Sequence, residues 1–266
     1  EKSEMARFRV ENIAEEVKLP GDWYLDRKTA LLYYIPCKNE CIESCEIIVP
    51  VLEKLVSIQA AWLRLENLSF MHAEWVPPIN FPGSIQAAFE VPGAIVFDKA
   101  DNCVIYGCTV SHISHYAIQV GTSSTNNKIV ACTMCDLGGG GVKIDHEWMH
   151  RVNLTSPKIL KRDKDTPKSN TTVSDCTIHD ASKIYLSAVA VWIGNAGGNH
   201  ILHNHIFDVN YTGISVGWTW NYDETATVGN IIKGNHIHHI NWNCLLSDNG
   251  GIYTLGNCPG TVCRDN

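Results

Sequence analysis

Asn102-Cys-Val-Ile-Tyr-Gly-Cys-Thr-Val-Ser-His112, Asn126-Asn-Lys-Ile-Val-Ala-Cys-Thr-Met-Cys-Asp136, Asn170-Thr-Thr-Val-Ser-Asp-Cys-Thr-Ile-His-Asp180, Asn199-His-Ile-Leu-His-Asn-His-Ile-Phe-Asp208 and Asn230-Ile-Ile-Lys-Gly-Asn-His-Ile-His-His239 are five versions of one unit. Each opens on Asn and runs through a short β-rich stretch. It then reaches a Cys or Asn (Cys108, Cys132, Cys176, Asn204, Asn235) and closes on an acid or His. A second strand follows each unit, as in Ala117-Ile-Gln-Val-Gly121, Gly141-Val-Lys-Ile144, Ala190-Val-Trp-Ile-Gly194, Gly213-Ile-Ser-Val-Gly217 and Gly251-Ile-Tyr-Thr-Leu-Gly256. The period is about 24 to 31 residues, with one long insertion over 145–169. Short alternating strands at a fixed period, broken by Asn and Gly, specify a solenoid. The Leu pattern of a leucine-rich repeat is missing, and the period is too short for a four-stranded propeller blade. The expected fold is therefore all-β, a right-handed parallel β-helix with a small N-terminal β segment. The Cys/Asn column is expected to form an inward ladder, in which Asn bonds the turn backbone and Cys acts as a small buried hydrophobe.

Outward from the repeat, residues 1–66 do not follow it. They are expected to be an N-terminal β-rich segment, part of an incomplete accessory domain, with coils over 67–266. In the leading segment Ala30-Leu-Leu-Tyr-Tyr-Ile-Pro36 and Glu46-Ile-Ile-Val-Pro-Val-Leu52 read as strands ended by Pro. The insertion carries Arg151, Lys158, Lys161, Arg162, Lys164 and Lys168. It is either a solvated loop or a basic lip over an acidic substrate groove.

Composition narrows the function classes. The 266 residues are 45% hydrophobic and 18% charged, and 21 Lys+Arg against 28 Asp+Glu give a net charge of −7. A general nucleic-acid surface is not expected from that balance. No apolar run approaches the ~20 residues of a membrane span, and Glu1-Lys-Ser-Glu4 is not a signal peptide. Eleven Cys and twelve His are present. Cys37-x3-Cys41-x3-Cys45 and Cys132-x2-Cys135 lack the second pair a zinc site uses. His236 and His238 share a strand face, where a metal competes with plain solvation or stacking, and the latter is favoured. No metal and no cofactor are expected, with Ca²⁺ only if the protein is a lyase. Sequons at Asn67, Asn153, Asn170 and Asn210 decide nothing about location.

Chemistry is expected on one outward face. Gln119, Lys143, Trp192, Ser215 and Tyr253 should stack there as an exposed column, with Trp218, Trp220 and Tyr222 in the loop after Ser215. Aromatics beside polar groups suit sugar rings, whose C–H faces stack while their hydroxyls hydrogen-bond. Asp180 and Asp208 share a column on neighbouring coils. Asp248, before Gly250-Gly251, lies one coil beyond Asp208, and coil spacing places that pair about 5–10 Å apart, the range glycoside hydrolysis uses. Turn capping is the preferred role for Asp180. Asp145, His146 and Glu147 end a second strand and would face the same groove, as would His239.

Gly21-Asp-Trp-Tyr-Leu-Asp-Arg-Lys-Thr29, Tyr211-Thr-Gly-Ile-Ser-Val-Gly-Trp-Thr-Trp220 and Leu246-Ser-Asp-Asn-Gly-Gly-Ile-Tyr-Thr-Leu-Gly256 resemble bacterial right-handed parallel β-helix proteins of carbohydrate metabolism. The resemblance is to glycoside hydrolase family 141, which includes α-L-fucosidase and xylanase activities. It implies a retaining mechanism with a pair of Asp, carried onto Asp248 and Asp208, without deciding which is the nucleophile. Family members are longer at both ends, and the Cys37-to-Cys45 segment is unlike them.

Three readings result. The first is a glycoside hydrolase cleaving a plant or algal polysaccharide or oligosaccharide, using Asp248 and Asp208, with Trp218, Trp220, Tyr222, Trp192, Lys143, Tyr253, Glu147 and His239 at the substrate. The second is a polysaccharide lyase on the same scaffold, with Lys143 or an Arg as base and Ca²⁺ on Asp groups. The third is a non-catalytic glycan-binding β-helix. A secreted or extracytoplasmic location is expected, and the oligomeric state is left open.

Overall fold

The computed structural model describes residues 10–81, 83–121, 123–144, 169–220, 222, 225–241 and 244–266. The chain divides into two compact units, Glu1–Val49 and Pro50–Asn266. In the first, β1 (Trp23–Asp26) and β2 (Leu31–Tyr34) form an antiparallel hairpin. Asp26 ties its turn by accepting hydrogen bonds from the Lys28 amide and the Thr29 hydroxyl. No described side chain of this unit is fully buried. The stretch Glu46–Leu52, expected to be a strand, carries no ladder; Pro50 has no N–H to give one.

The second unit is a parallel β-helix built on three stacked sheets. Sheet I stacks β4 (Arg64–Glu66), β7 (Val104–Tyr106), β10 (Lys128–Val130), β13 (Thr172–Ser174), β16 (His200–Leu202), β19 (Ile231–Lys233) and β22 (Val262–Arg264). Sheet II stacks β5 (Ser69–Ala73), β8 (Thr109–Ile113), β11 (Thr133–Leu137), β14 (Thr177–Ala181), β17 (His205–Val209) and β20 (His236–Ile240). Sheet III stacks β3 (Val56–Ile58), β6 (Gly93–Phe97), β9 (Tyr116–Val120), β12 (Val142–Ile144), β15 (Val191–Ile193), β18 (Ile214–Val216) and β21 (Ile252–Thr254). The expected boundary at 66/67 falls inside the first coil, because β3 already pairs with β6 and β4 with β7.

Period-two alternation sends one side of each strand inward. Ile105, Ile129, Val173, Ile201 and Ile232 from sheet I meet Val110, Met134, Ile178 and Ile206 from sheet II. Ile95, Ile118, Val142, Val191 and Ile214 from sheet III close the core.

Two side-chain columns bind the coils at the corners of sheet I. In one, Asn235 Oδ1 accepts the Asn204 amide and Asn204 Oδ1 accepts the Cys176 amide, at 3.0 Å each. Above them the Cys176 sulfur accepts the Cys132 amide at 3.4 Å, and Asn266 continues the column below Asn235. The second column runs through Cys103, Asn127, Thr171, Asn199 and Asn230, with Asn127 Oδ1 on the Cys103 amide and Asn230 Oδ1 on the Asn199 amide. Asn102, Asn126 and Asn170 stand one residue earlier than that ladder. They are left-handed (φ 53°, 58° and 48°), and Gly198 and Gly229 take the same place in later coils. Another left-handed column runs through His112, Asp136, Asp180, Asp208 and His239, at φ 50–54°. Asn, Asp, Gly and His recur at these points because they tolerate that backbone region best. The repeat is thus written by corners as much as by strands.

Candidate functional site

The expected outward column of sheet III has the expected register: Gln119, Lys143, Trp192, Ser215 and Tyr253 are successive partners. It is not, however, an exposed face. The segment 74–92, between β5 and β6, supplies Phe89, which packs on Trp192 and Trp218 with ring centroids 6.4 and 5.3 Å apart. Trp192 and Trp218 meet edge-on at 5.4 Å, and Trp192 is fully buried. Lys143 is buried as well. Its ammonium donates to the Phe89 and Val91 carbonyls at 2.6 and 3.0 Å and lies over the Tyr116 and Trp192 rings. Trp192 and Lys143 are therefore corrected from groove surface to the packed support beneath it. Sequence pattern missed this because the covering segment belongs to no repeat.

The cover also brings in Glu90. Burial raises its carboxyl pKa, and the Lys143 charge opposes part of that rise. Its Oε1 accepts the Ile85 amide at 3.0 Å, while Oε2 is buried with no hydrogen-bond partner among the described residues.

Sheet III opens to solvent beyond Ser215. Trp218 is 5% exposed and belongs to the cluster of Phe89, Trp192 and Tyr211, against which Leu246 and Leu255 pack. Trp220 stands edge-on to Trp218 at 5.9 Å and is 62% exposed, and Tyr222 is 95% exposed. Burial raises the Tyr211 hydroxyl pKa, with further contributions from the charges of Tyr253 and Asp248, while Gln86 on the cover hydrogen-bonds to Tyr211.

Local geometry sets the Asp248 corner. Asn241 holds the loop by donating to the Leu246 carbonyl at 2.7 Å, and Gly213 donates its amide to the Gly250 carbonyl at 3.1 Å. A Cβ on Gly213 would stand 2.7 Å from the Gly251 carbonyl oxygen, so this close approach requires glycine. Asp248 itself is exposed and left-handed at φ 61°. It comes in the loop between β20 and β21, whereas Asp208 lies in β17 of sheet II, in the left-handed column, where its counterpart one coil on is His239. The column neighbours of Asp208 differ from it in one respect. Lys183 pairs with Asp136 at 2.6 Å and with Asp180 at 3.2 Å, whereas Asp208 has no ion pair among the described residues.

Outside this groove, the outer face of sheet II gathers histidines. His205 stacks on His236 with centroids 5.1 Å apart, and His205 Nε2 lies 2.8 Å from His238 Nε2. Partial burial, then the neighbouring His236, His239 and His205, hold the His238 pKa below its usual value, and the Asp208 charge pulls the other way. His239 contacts His238 rather than the sheet III groove. His205 was not singled out from sequence, although aligning the last two repeats sets it opposite His236. Glu147, Asp145, His146 and the basic insertion lie outside the described residues.

The two kinds of aromatic should separate on mutation. Trp192→Ala is expected to destabilise the β-helix by about 3–5 kcal/mol, since a fully buried indole leaves a cavity. Tyr222→Ala, at an exposed ring, should leave stability within about 0.5 kcal/mol. Urea denaturation of both variants checks this.

No protein-family model matches the chain, and no curated protein does. Among solved structures, one described as "Glycoside hydrolase" is similar at a TM-score of 0.75 and 22% identity, over 94% of this chain and 47% of that one. Another, described as "The complex structure of XylC with xylose", is similar at a TM-score of 0.51 and 11% identity, over 94% of this chain and 43% of the other. The chain spans about half the length of each. Among the described residues, no helix is long and apolar enough to cross a membrane. At these identities the likeness is one of fold, a stack of long parallel sheets shared with proteins about twice this length.

Proposed function

We propose that the protein is a glycoside hydrolase that cleaves a plant or algal polysaccharide with two carboxylates, Asp248 and Asp208. One observation carries this reading: two acids on successive coils, Asp208 in β17 and Asp248 in the loop before β21, neither with an ion pair among the described residues, where Asp136 and Asp180 are both tied to Lys183. A retaining mechanism would need these two carboxyls about 5–5.5 Å apart. One carboxyl would protonate the leaving oxygen while the other attacks the anomeric carbon, and the first would then activate water. Trp220 and Tyr222 offer exposed rings to sugar faces, and Trp218 backs them from the core. The two structural neighbours, one described as a glycoside hydrolase and one as a complex with xylose, favour carbohydrate as the substrate class.

Hydrolysis is favoured over elimination because Lys143, the lyase-base candidate beside an unspecified Arg, donates to two main-chain carbonyls and is buried. The test is a panel of plant cell-wall and algal glycans, with reducing ends and unsaturated-uronate absorbance read in parallel. New reducing ends without new absorbance are expected. Absorbance rising with the reducing ends would overturn hydrolysis in favour of a lyase.

A further inference from the structure

The histidines on sheet II form a second candidate site, bordered by Asp208 and His239 of the glycan reading. His205 opens β17 and His236 opens β20, and the parallel register sets them directly opposite each other. His238, two residues on, returns to the same face, with its ring 5.0 Å from His205 and 4.7 Å from His236. Each of the three offers one ring nitrogen, and these three atoms all lie within 4.8 Å of one another. We propose that His205, His236 and His238 bind a divalent first-row transition ion, with zinc as the probe.

The geometry suits such an ion. Tetrahedral zinc with Zn–N bonds of about 2.0–2.1 Å needs nitrogens about 3.3 Å apart, which small side-chain rotations reach from here. The carriers are two hydrogen-bonded strands, so the ligands start on a rigid frame. His236 is exposed, which leaves solvent access for a water as fourth ligand. His239 Nδ1 lies against His238 Nδ1, fixing the ring so that Nε2 faces His205, and the Asp208 charge acts on His238. A 2.8 Å contact between two ring nitrogens requires a proton on one of the two Nε2 atoms when no metal is bound. On binding, the donor ring moves that proton from Nε2 to its own Nδ1, so no charge is lost and no co-reactant is needed.

The repeat itself argues that these histidines are not required for stacking. Earlier coils fill the His205 and His236 column with Ser69, Thr109, Thr133 and Thr177, and the His238 column includes Cys135 and Phe207. Those residues supply the fold-preserving variants, His205→Thr and His238→Phe.

Zinc binding is measured by competition with a chromogenic chelator, and cobalt substitution is read by visible absorption. Thermal melts confirm that the variants fold. The expected result is one zinc per chain, weakened about tenfold or more by either substitution and abolished in the double variant. A cobalt spectrum of four-coordinate nitrogen–oxygen type is expected and should disappear in the same variants. A chain with Cys37, Cys41 and Cys45 changed to Ser should keep its zinc. The proposal is overturned if the parent chain takes up no zinc, if the folded double variant binds as tightly, or if the Cys-to-Ser chain loses its zinc.

Discussion

Asp248→Asn should lower kcat/KM on the cleaved glycan by about 10³-fold or more while leaving the melting temperature unchanged. The kinetic part follows from the two-carboxylate scheme: an amide cannot attack the anomeric carbon, nor give a proton to the leaving oxygen. The stability part follows from position. Asp248 is exposed, and neither its side chain nor that of Asp208 makes a hydrogen bond among the described residues. Asn also tolerates the left-handed backbone at φ 61°. Asp208→Asn should produce a loss of the same order. Asp180→Asn, in the same column but paired with Lys183, is the control and should stay within a few-fold. Initial rates beside thermal melts decide the matter. A full rate in folded Asp248→Asn sinks the assignment.

Asn204→Leu should match Trp192→Ala in its effect on stability, about 3–5 kcal/mol, or roughly 10–15 °C in melting temperature. Asn204 accepts the Cys176 amide at 3.0 Å and donates to the Val173 carbonyl at 3.0 Å and to Asn235 Oδ1 at 2.9 Å. Leucine leaves that amide and that carbonyl buried and unpaired, far from water. Asn204→Cys should cost under about 2 kcal/mol, because a thiol can accept and donate weakly in their place. The protein already does this one coil away, where the Cys176 sulfur accepts the Cys132 amide and donates to the Ser174 carbonyl at 3.2 Å. Denaturant titration of the two variants side by side gives the comparison. Equal losses would mean that side-chain volume, not hydrogen bonding, decides the column.

These expectations also mark what was legible in the sequence. The Cys/Asn column and the columns of opening Asn and closing acid or His could be read because each places a chemical requirement at the same point of five successive coils. The register of Gln119, Lys143, Trp192, Ser215 and Tyr253 was legible for the same reason. What covers that register was not. Phe89, Glu90 and Val91 sit in a single segment with no counterpart in other coils, so no repetition announced them. Lys143, flanked by Val142 and Ile144, reads like any outward lysine on an alternating strand. Only the Phe89 and Val91 carbonyls show why it is buried. The first coil was missed because β3 and β4 pair correctly without carrying the Cys/Asn signature. The Asp208–Asp248 relation came from counting coils, and the ion pairs of Lys183 set Asp136 and Asp180 apart from Asp208 in its column.

The ladders also make the stack a mechanical object. Every inter-coil interface is spanned by strand pairing in the sheets and by side-chain links at the corners, so axial tension is shared and a coil must detach as a whole. The links are not equal in strength. From Cys176 to Asn266 the lower coils are riveted by amide groups with contacts of 2.8–3.0 Å, whereas the coils carrying Cys132 and Cys176 are joined by a sulfur contact of 3.4 Å. Under load the thiol-joined interfaces of the upper coils, Cys132–Cys176 among them, are expected to yield before the amide-joined ones below.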